Sequence, residues 1–405
     1  MNWKNVKLSE VIEKPLSGEW GEDGDDIFVL RSTNFSNDGS LDLSNVIKRN
    51  ISSSKVERKK LLIGDTIIEK SGGSPSQPVG RVVYFDIKSE EPYLCNNFTS
   101  ILRPKNTIDP RYLFWFLFYN HISKQTLRYQ NKTTGIINLQ TQRYLNELDI
   151  PLPSLPIQQK IAAVLDSADE LRKKNQQLLI NYDRLIQGVF FVMFGNPMKN
   201  EKKWDIKKIK DTAKQDKYSI KAGPFGSSLK KEFYVKKGYK VYGQEQVIRD
   251  DLSYGNYYID EKKYKELESC KVDTGDILIS LVGTYGKISI VPEKFEPGII
   301  NPRLMKITPD TSKVNPVYFK TLLVNESIRH QIENVSRGGT MDIVNVGIMK
   351  DISIPLPPIA LQNKFALIFK NIQQQKIQVK GQIQYSETLF DCLLNKAFKG
   401  QLIIK

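Results

Sequence analysis

The stretch IPLPSLPIQQKIAAVL occupies residues 150–165, and the chain repeats it 204 residues later as IPLPPIALQNKFALIF, residues 354–369. In each copy two prolines two residues apart deny the backbone a helix, because proline lacks the N–H and disfavours helical geometry in the residue before it. Apolar residues at helical spacing then begin at Ile157 and Leu361. A stop followed by a helix start, written twice, predicts two copies of one unit, each ending in a helix.

Working outward, the rest of the chain falls into the same two halves. Trp3 opens WKNVKLSEVI and Trp204 opens WDIKKIKDTA. LLIGDTIIEKSGG (61–73) is answered by VDTGDILISLVGT (272–284), aligning Gly64-Asp65 with Gly275-Asp276. DPRYLFWFL (109–117) is answered by NPVYFKTLL (315–323), and TTGIINLQTQRYLNELDIPLP (133–153) by GGTMDIVNVGIMKDISIPLP (338–357). A period of this length exceeds any solenoid unit, which runs roughly 20–50 residues, so it denotes a duplicated domain. Within each copy, strand-like runs broken by Gly, Pro and Ser precede a short helix near 110–126 or 316–332. The predicted order is a first domain (1–153), a long helix (154–197), a second domain (198–357) and a second long helix (358–405).

The first long helix carries apolar residues at alternating steps of four and three: Ile157, Ile161, Val164, Ala168, Leu171, then Asn175, then Leu178, Tyr182, Leu185 and Val189. That is a coiled-coil seam, with Asn175 as a polar register residue. The second helix starts in phase with Leu361, Phe365, Ile368 and Ile372, loses regularity near Gln375, and resumes at Val379, Ile383, Leu389 and Leu393. An ordinary amphipathic core helix is the commoner meaning of such a stripe. Two of matching length after matching stops favour mutual antiparallel pairing. A helix of about thirty residues spans roughly 45 Å, against about 34–36 Å for a turn of duplex DNA, so the pair could act as a ruler. The expected fold class is therefore α+β: two mixed domains separated by an antiparallel coiled coil, with pseudo-two-fold symmetry.

Charge leaves two readings open, a polyanionic partner or simply a basic, soluble protein with none. Sixty Lys and Arg against 45 Asp and Glu give +15, with excesses of +2, +2, +7 and +4 over 1–150, 151–200, 201–350 and 351–405. Positive charge spread along a chain suits a nucleic-acid footprint. Cys95, Cys270 and Cys392 are too scattered for a metal or a disulfide framework, which fits a reducing cytoplasm, and His121 and His330 alone cannot build a histidine-rich site. The opening residues lack a signal-peptide apolar run, and the patch at 189–194 is too short to span a bilayer.

Catalytic signatures are missing. The chain has no G-x-G-x-x-G, no P-loop and no G-x-S-x-G elbow. The Asn-Pro pairs at 196–197, 301–302 and 315–316 lack the second proline and aromatic of an amino-methyltransferase motif. Asp260, Glu261 and Lys263 form a nuclease-like grouping that a chain with 26% charged residues produces by chance. Two loops suit recognition instead. EKSGGSPSQPVGR (69–81) offers Lys70, Ser71, Gly72, Gly73, Ser74, Gln77 and Arg81; IKAGPFGSSLKKEFY (220–234) offers Lys221, Gly223, Gly226, Ser227, Ser228, Lys230 and Lys231. Glycine lets a backbone approach phosphate, Ser and Lys donate to it, and Gln and Arg also read base edges. Further candidates are Lys132 in NKTTG, Thr284, Tyr285 and Lys287 in LVGTYGK, and Arg337 in SRGGT. Solvated turns whose glycines merely permit positive φ are the alternative reading.

The twin Ile-Pro-Leu-Pro stops with Gln158 and Gln362 behind them, GDTIIEKSGGSPSQPVGR, AGPFGSSLKKEFY and the FVMFGNP ending (191–197) together resemble the specificity subunits of type I restriction–modification systems, over essentially the whole chain. The resemblance implies two target recognition domains, each reading one half of a split, asymmetric double-stranded DNA target. It also implies two helices that set the spacer and dock two modification subunits. Such a chain is not an enzyme and needs no cofactor: S-adenosylmethionine chemistry belongs to the modification subunits, and ATP- and Mg-dependent translocation and cleavage to the restriction subunits. SGGSPSQPVG and LVGTYGK differ between the copies, so the half-sites should differ and the target should not be a palindrome. The competing reading is a pseudo-symmetric protein adaptor that never touches DNA; a nuclease acting alone ranks last.

Overall fold

Gly64 and Gly275 both sit at positive φ, +100° and +84°, where only glycine is unstrained. The aspartate after each is buried and caps the same turn. Asp65 accepts from the Leu62 N–H at 2.8 Å and Asp276 from the Asp273 N–H at 2.8 Å. The carboxylates are held differently: Arg103 binds Asp65 at 2.7 and 2.8 Å, whereas Asp276 accepts from the Thr308 hydroxyl at 2.5 Å, has Lys306 as its ion partner at 3.8 Å, and has its pKa raised by burial. The repeated Gly-Asp pair is thus the entry to a buried strand in both copies, Thr66–Glu69 and Ile277–Ser280.

The structure is a computed structural model describing residues 3–133, 136–281, 286–330 and 346–402. It divides into two compact units, one of residues 1–177 with 381–405 and the other of residues 178–380. In the first unit an antiparallel sheet has the order Leu16–Ser17, Thr99–Leu102, Thr66–Glu69, Val82–Tyr84. In the second the order is Ile220–Ala222, Leu304–Ile307, Ile277–Ser280, Ile288–Ile290, the same arrangement strand for strand. Each unit adds a sheet built on one parallel pair, Glu22–Leu30 with Tyr93–Cys95 and Tyr239–Tyr242 with Gly298–Ile300. Each is closed by its first and last strands, Asn5–Lys7 on Asp149–Pro151 and Asp205–Lys208 on Ser353–Leu356. The mixed α+β duplication expected from the sequence is what the chain adopts.

The Ile-Pro-Leu-Pro stops are held the same way twice. The Tyr112 hydroxyl donates to the Pro151 carbonyl at 2.7 Å, and that of Tyr318 to Pro355 at 2.8 Å. Gln158 accepts from the Asp109 N–H at 2.8 Å and donates to the Pro153 and Thr107 carbonyls at 2.8 and 3.3 Å. Gln362 accepts from the Asn315 N–H at 2.8 Å and donates to Pro357 and Lys313 at 2.7 and 3.1 Å. Asp109 and Asn315 in turn cap the helices Pro110–Ile122 and Pro316–Leu323, each with proline in its first turn. One buried glutamine therefore ties the stop, the short helix and the long helix together.

The long helices run Leu155–Phe194 and Ile359–Phe398, forty residues each. They pair antiparallel within each unit. In the first, Arg172 stacks on Phe390 and Asn175 donates to Ser386 at 3.3 Å; in the second, Lys376 pairs with Asp183 and Phe190 packs on Phe365. The tail of each helix completes the core of the unit the other copy begins. Phe390 and Leu394 join the core of Trp115 and Tyr112, while Phe190 and Phe194 join that of Tyr318 and Phe319.

The seam corrects the sequence reading at four of its ten positions. Ile161 and Ala168 are buried, Ile157, Asn175, Tyr182 and Val189 half-buried, but Val164, Leu171, Leu178 and Leu185 are exposed. The inward stripe runs Ile161, Leu165, Ala168, Arg172, Asn175, Leu179, Tyr182, Ile186, Val189, Met193. Two stripes of alternating threes and fours share the same alternate positions, and the apolar pattern fits both. Arg172 made the true one look polar, yet its charge is held by Asp169 at 2.6 Å and its plane by the Phe390 ring. In the second helix Phe365 and Ile372 are buried, and Leu361 and Ile368 half-buried. Its seam continues through Lys376, Val379, Ile383 and Ser386 without the break expected near Gln375, because Lys376 and Ser386 find polar partners across the pair.

Candidate nucleic-acid interface

In the first unit the segment 70–81 is less of a loop than the sequence implies. Ser71–Gly73 is a strand on Ile136–Leu139, which pairs in turn with Gln130–Thr133. Gly73, Ile137 and Lys132 lie side by side in register, so two segments predicted separately share one small sheet. The Lys132 side chain lies outside the described residues. The Ser71 hydroxyl bonds Asn138 Oδ1 at 2.5 Å, Lys70 Nζ donates to Ser17 at 2.5 Å, and burial lowers the Lys70 pKa. Ser74 to Gln77 form a tight turn with reciprocal backbone hydrogen bonds of 2.9 and 3.1 Å.

Arg81 is the main correction. It is 9% exposed, and its guanidinium binds both oxygens of buried Glu69 at 2.9 Å while donating to the Phe35 and Ser32 carbonyls at 3.0 Å. Every one of those contacts spends a donor that a base edge would need, so Arg81 organises the site rather than reading from it. Above it opens a cleft of about 570 Å³ lined by Ser32, Ser36, Asn37, Ser74 and Gln77. Burial, with the Arg81 charge nearby, lowers the His121 pKa to about 4, so that imidazole is neutral near neutral pH.

The second unit has a cleft of about 700 Å³ at the corresponding turn, lined by Lys231, Gln244, Glu245, Ile248, Tyr257 and Arg303. The two turns are built alike. Asn34 accepts from the Arg31 N–H at 2.9 Å, and Gln246 from the Gly243 N–H at 3.0 Å. The recognition reading of the sequence missed these turns (31–37 and 243–248). Their signal is an amide side chain three residues past the start, the capping-box spacing, in RSTN and GQEQ.

Of the second set of predicted residues, Lys221 lies on the edge strand and Gly223 ends it. Gly226, Ser227 and Ser228 form a single 3-10 turn, Lys230 pairs with Glu232, and exposed Lys231 lines the cleft. Lys287 precedes the strand at the opposite edge of the same sheet, so it is not brought to Lys221. Thr284, Tyr285 and Arg337 lie outside the described residues. The Asp260–Lys263 grouping resolves into helix-end chemistry: Asp260 caps the helix Glu261–Glu266 through the Lys263 N–H at 2.7 Å, and Glu261 pairs with Lys265 at 2.8 Å. No helix of the described residues is long and apolar enough to cross a membrane.

The two units thus offer one frame with two different linings. Comparison with known proteins finds the same duplication: the family model for the type I restriction modification DNA specificity domain matches residues 1–180 and again 201–385. The type I restriction enzyme MjaX specificity subunit of Methanocaldococcus jannaschii is 25% identical over 98% of this chain and 92% of its own. The EcoBI specificity subunit of Escherichia coli is 24% identical over 70% of this chain and 65% of its own. Among solved structures, the S subunit from M. genitalium superposes over all of this chain and 97% of its own, with a TM-score of 0.60 at 15% identity. A chain from work on complex assembly and conformational transition of the type I R-M system superposes with a TM-score of 0.58 at 17% identity, over 99% of this chain and 98% of its own.

Proposed function

The chain belongs to the type I restriction–modification DNA specificity family, and we propose from this premise that it is the non-catalytic subunit that chooses the DNA sequence on which its partners act. Each unit reads one half of a split target. The observation that carries this is the repeated frame with unequal linings: Ser, Asn and Gln around an internally neutralised Arg81–Glu69 pair in one cleft, Gln244, Lys231, Arg303 and Tyr257 in the other. A shared frame supplies a common approach to duplex DNA, and different side chains at its mouth supply different base readout. The net charge of +15 supplies salt-dependent backbone affinity.

The paired helices set the spacer and dock modification subunits, which bring S-adenosylmethionine chemistry; restriction subunits add ATP- and Mg-dependent steps. Support for docking comes from the outer face of the first helix. Val164, Leu171, Leu178, Leu185 and Val192 recur every seventh residue and are all exposed, a stripe suited to a further helix. A mobility-shift titration tests DNA recognition against an adaptor role. The chain with its modification subunit should prefer its target and lose affinity steeply with salt; no DNA binding, or none that distinguishes the target from other sequence, would favour the adaptor.

A further inference from the structure

Phe225 is 88% exposed, more than any other large apolar side chain among the described residues. It is not on a loose tip. On one side Gly223 packs so closely on the Asn301 carbonyl that a Cβ would stand 1.9 Å from its oxygen, and Pro224 is buried. On the other side the Ser228 N–H donates to the Phe225 carbonyl at 2.8 Å, and Leu229 is buried in a core. The backbone is pinned at both ends with the ring held outward.

The same device occurs in the first unit. Gly18-Glu19-Trp20-Gly21 follows the equivalent edge strand, Gly18 packs on Asn96 as Gly223 does on Asn301, and a Cβ there would lie 2.0 Å from the Asn96 oxygen. At that place Trp20 carries a planar cation on its face: the Arg49 guanidinium lies 4.1 Å from the ring centroid. The position therefore presents an aromatic face to a flat group. The segment that carries Phe225 is basic, with seven lysines against two acids between 214 and 237.

We infer that Phe225 stacks on, or wedges beside, a base of the half-site read by the second unit. The ring offers a π-face, the flanking lysines draw in the phosphates, and the pinned backbone spares the ordering cost of a mobile loop. This rests on the DNA-reading function proposed above.

The test uses the full chain with its modification subunit and a duplex bearing its mapped target, with 2-aminopurine placed in turn through the half-site. Wild type should change the fluorescence at one step. Phe225→Ala should abolish that change and weaken specific binding about 5- to 150-fold, with the salt slope unaltered because no phosphate contact is removed. Phe225→Trp should restore both. Phe225→Ala binding like wild type would overturn the assignment, and so would its loss of the modification subunit with DNA affinity intact, which would place the ring at a protein interface. If wild type itself showed no target preference, the recognition function would fail and this role with it.

Discussion

Replacing Gln158 or Gln362 by alanine tests whether the Ile-Pro-Leu-Pro stop is a built joint. Each glutamine is 0–1% exposed and satisfies three backbone groups, one N–H and two carbonyls. A buried polar group left without a partner costs about 1–3 kcal/mol. Water entering the space offsets part of this, so each variant should lose about 3 kcal/mol in all. In a unit of some two hundred residues that lowers the midpoint by roughly 6–12 °C. Calorimetry on the full chain reads the shift, and hydrogen exchange locates it: Asp109 N–H should lose protection in Gln158→Ala, and Asn315 N–H in Gln362→Ala. Gln362→Glu adds a sign test. A carboxylate keeps the acceptor for Asn315 but turns a negative oxygen on the Pro357 and Lys313 carbonyls, so its folded-state pKa rises above about 4. Stability is then lost as pH rises through that raised value and recovered on acidification. Variants within about 0.5 kcal/mol of wild type, the scatter of ordinary surface changes, would refute the joint.

Three further outcomes follow from the geometry. Gly18→Ala and Gly223→Ala put a Cβ about 2 Å from a backbone oxygen and should each cost about 3 kcal/mol by thermal unfolding, the upper end of what overpacking costs. Gly188→Ala and Gly381→Ala meet nothing within 4 Å inside the long helices and should each stabilise by about 0.5–1 kcal/mol. Leu171→Glu and Leu185→Glu, on the exposed stripe, should leave unfolding within about 0.5 kcal/mol of wild type while weakening co-elution with the modification subunit on size exclusion.

Much of this fold is written in local signals. Gly64-Asp65 and Gly275-Asp276, the paired proline stops and the Asn-Pro and Asp-Pro helix starts each encode a turn or cap that needs no distant partner. What is illegible depends on partners that only the folded chain brings into contact. Leu165 and Val164 are equally apolar, and only the facing helix selects the first. Arg81 looks like a DNA contact until Glu69, a buried acid twelve residues earlier, faces it across the strand pair. Arg172 reads as a surface charge because its ring partner, Phe390, is over two hundred residues away.

The most direct test of the central claim is to exchange residues 1–150 for those of a relative and sequence the methylome of cells carrying the chimera with its modification subunits. One half of the methylated target should change, while the other half and the spacing persist. Alteration of both halves, or of neither, would contradict the assignment of one reader to each unit.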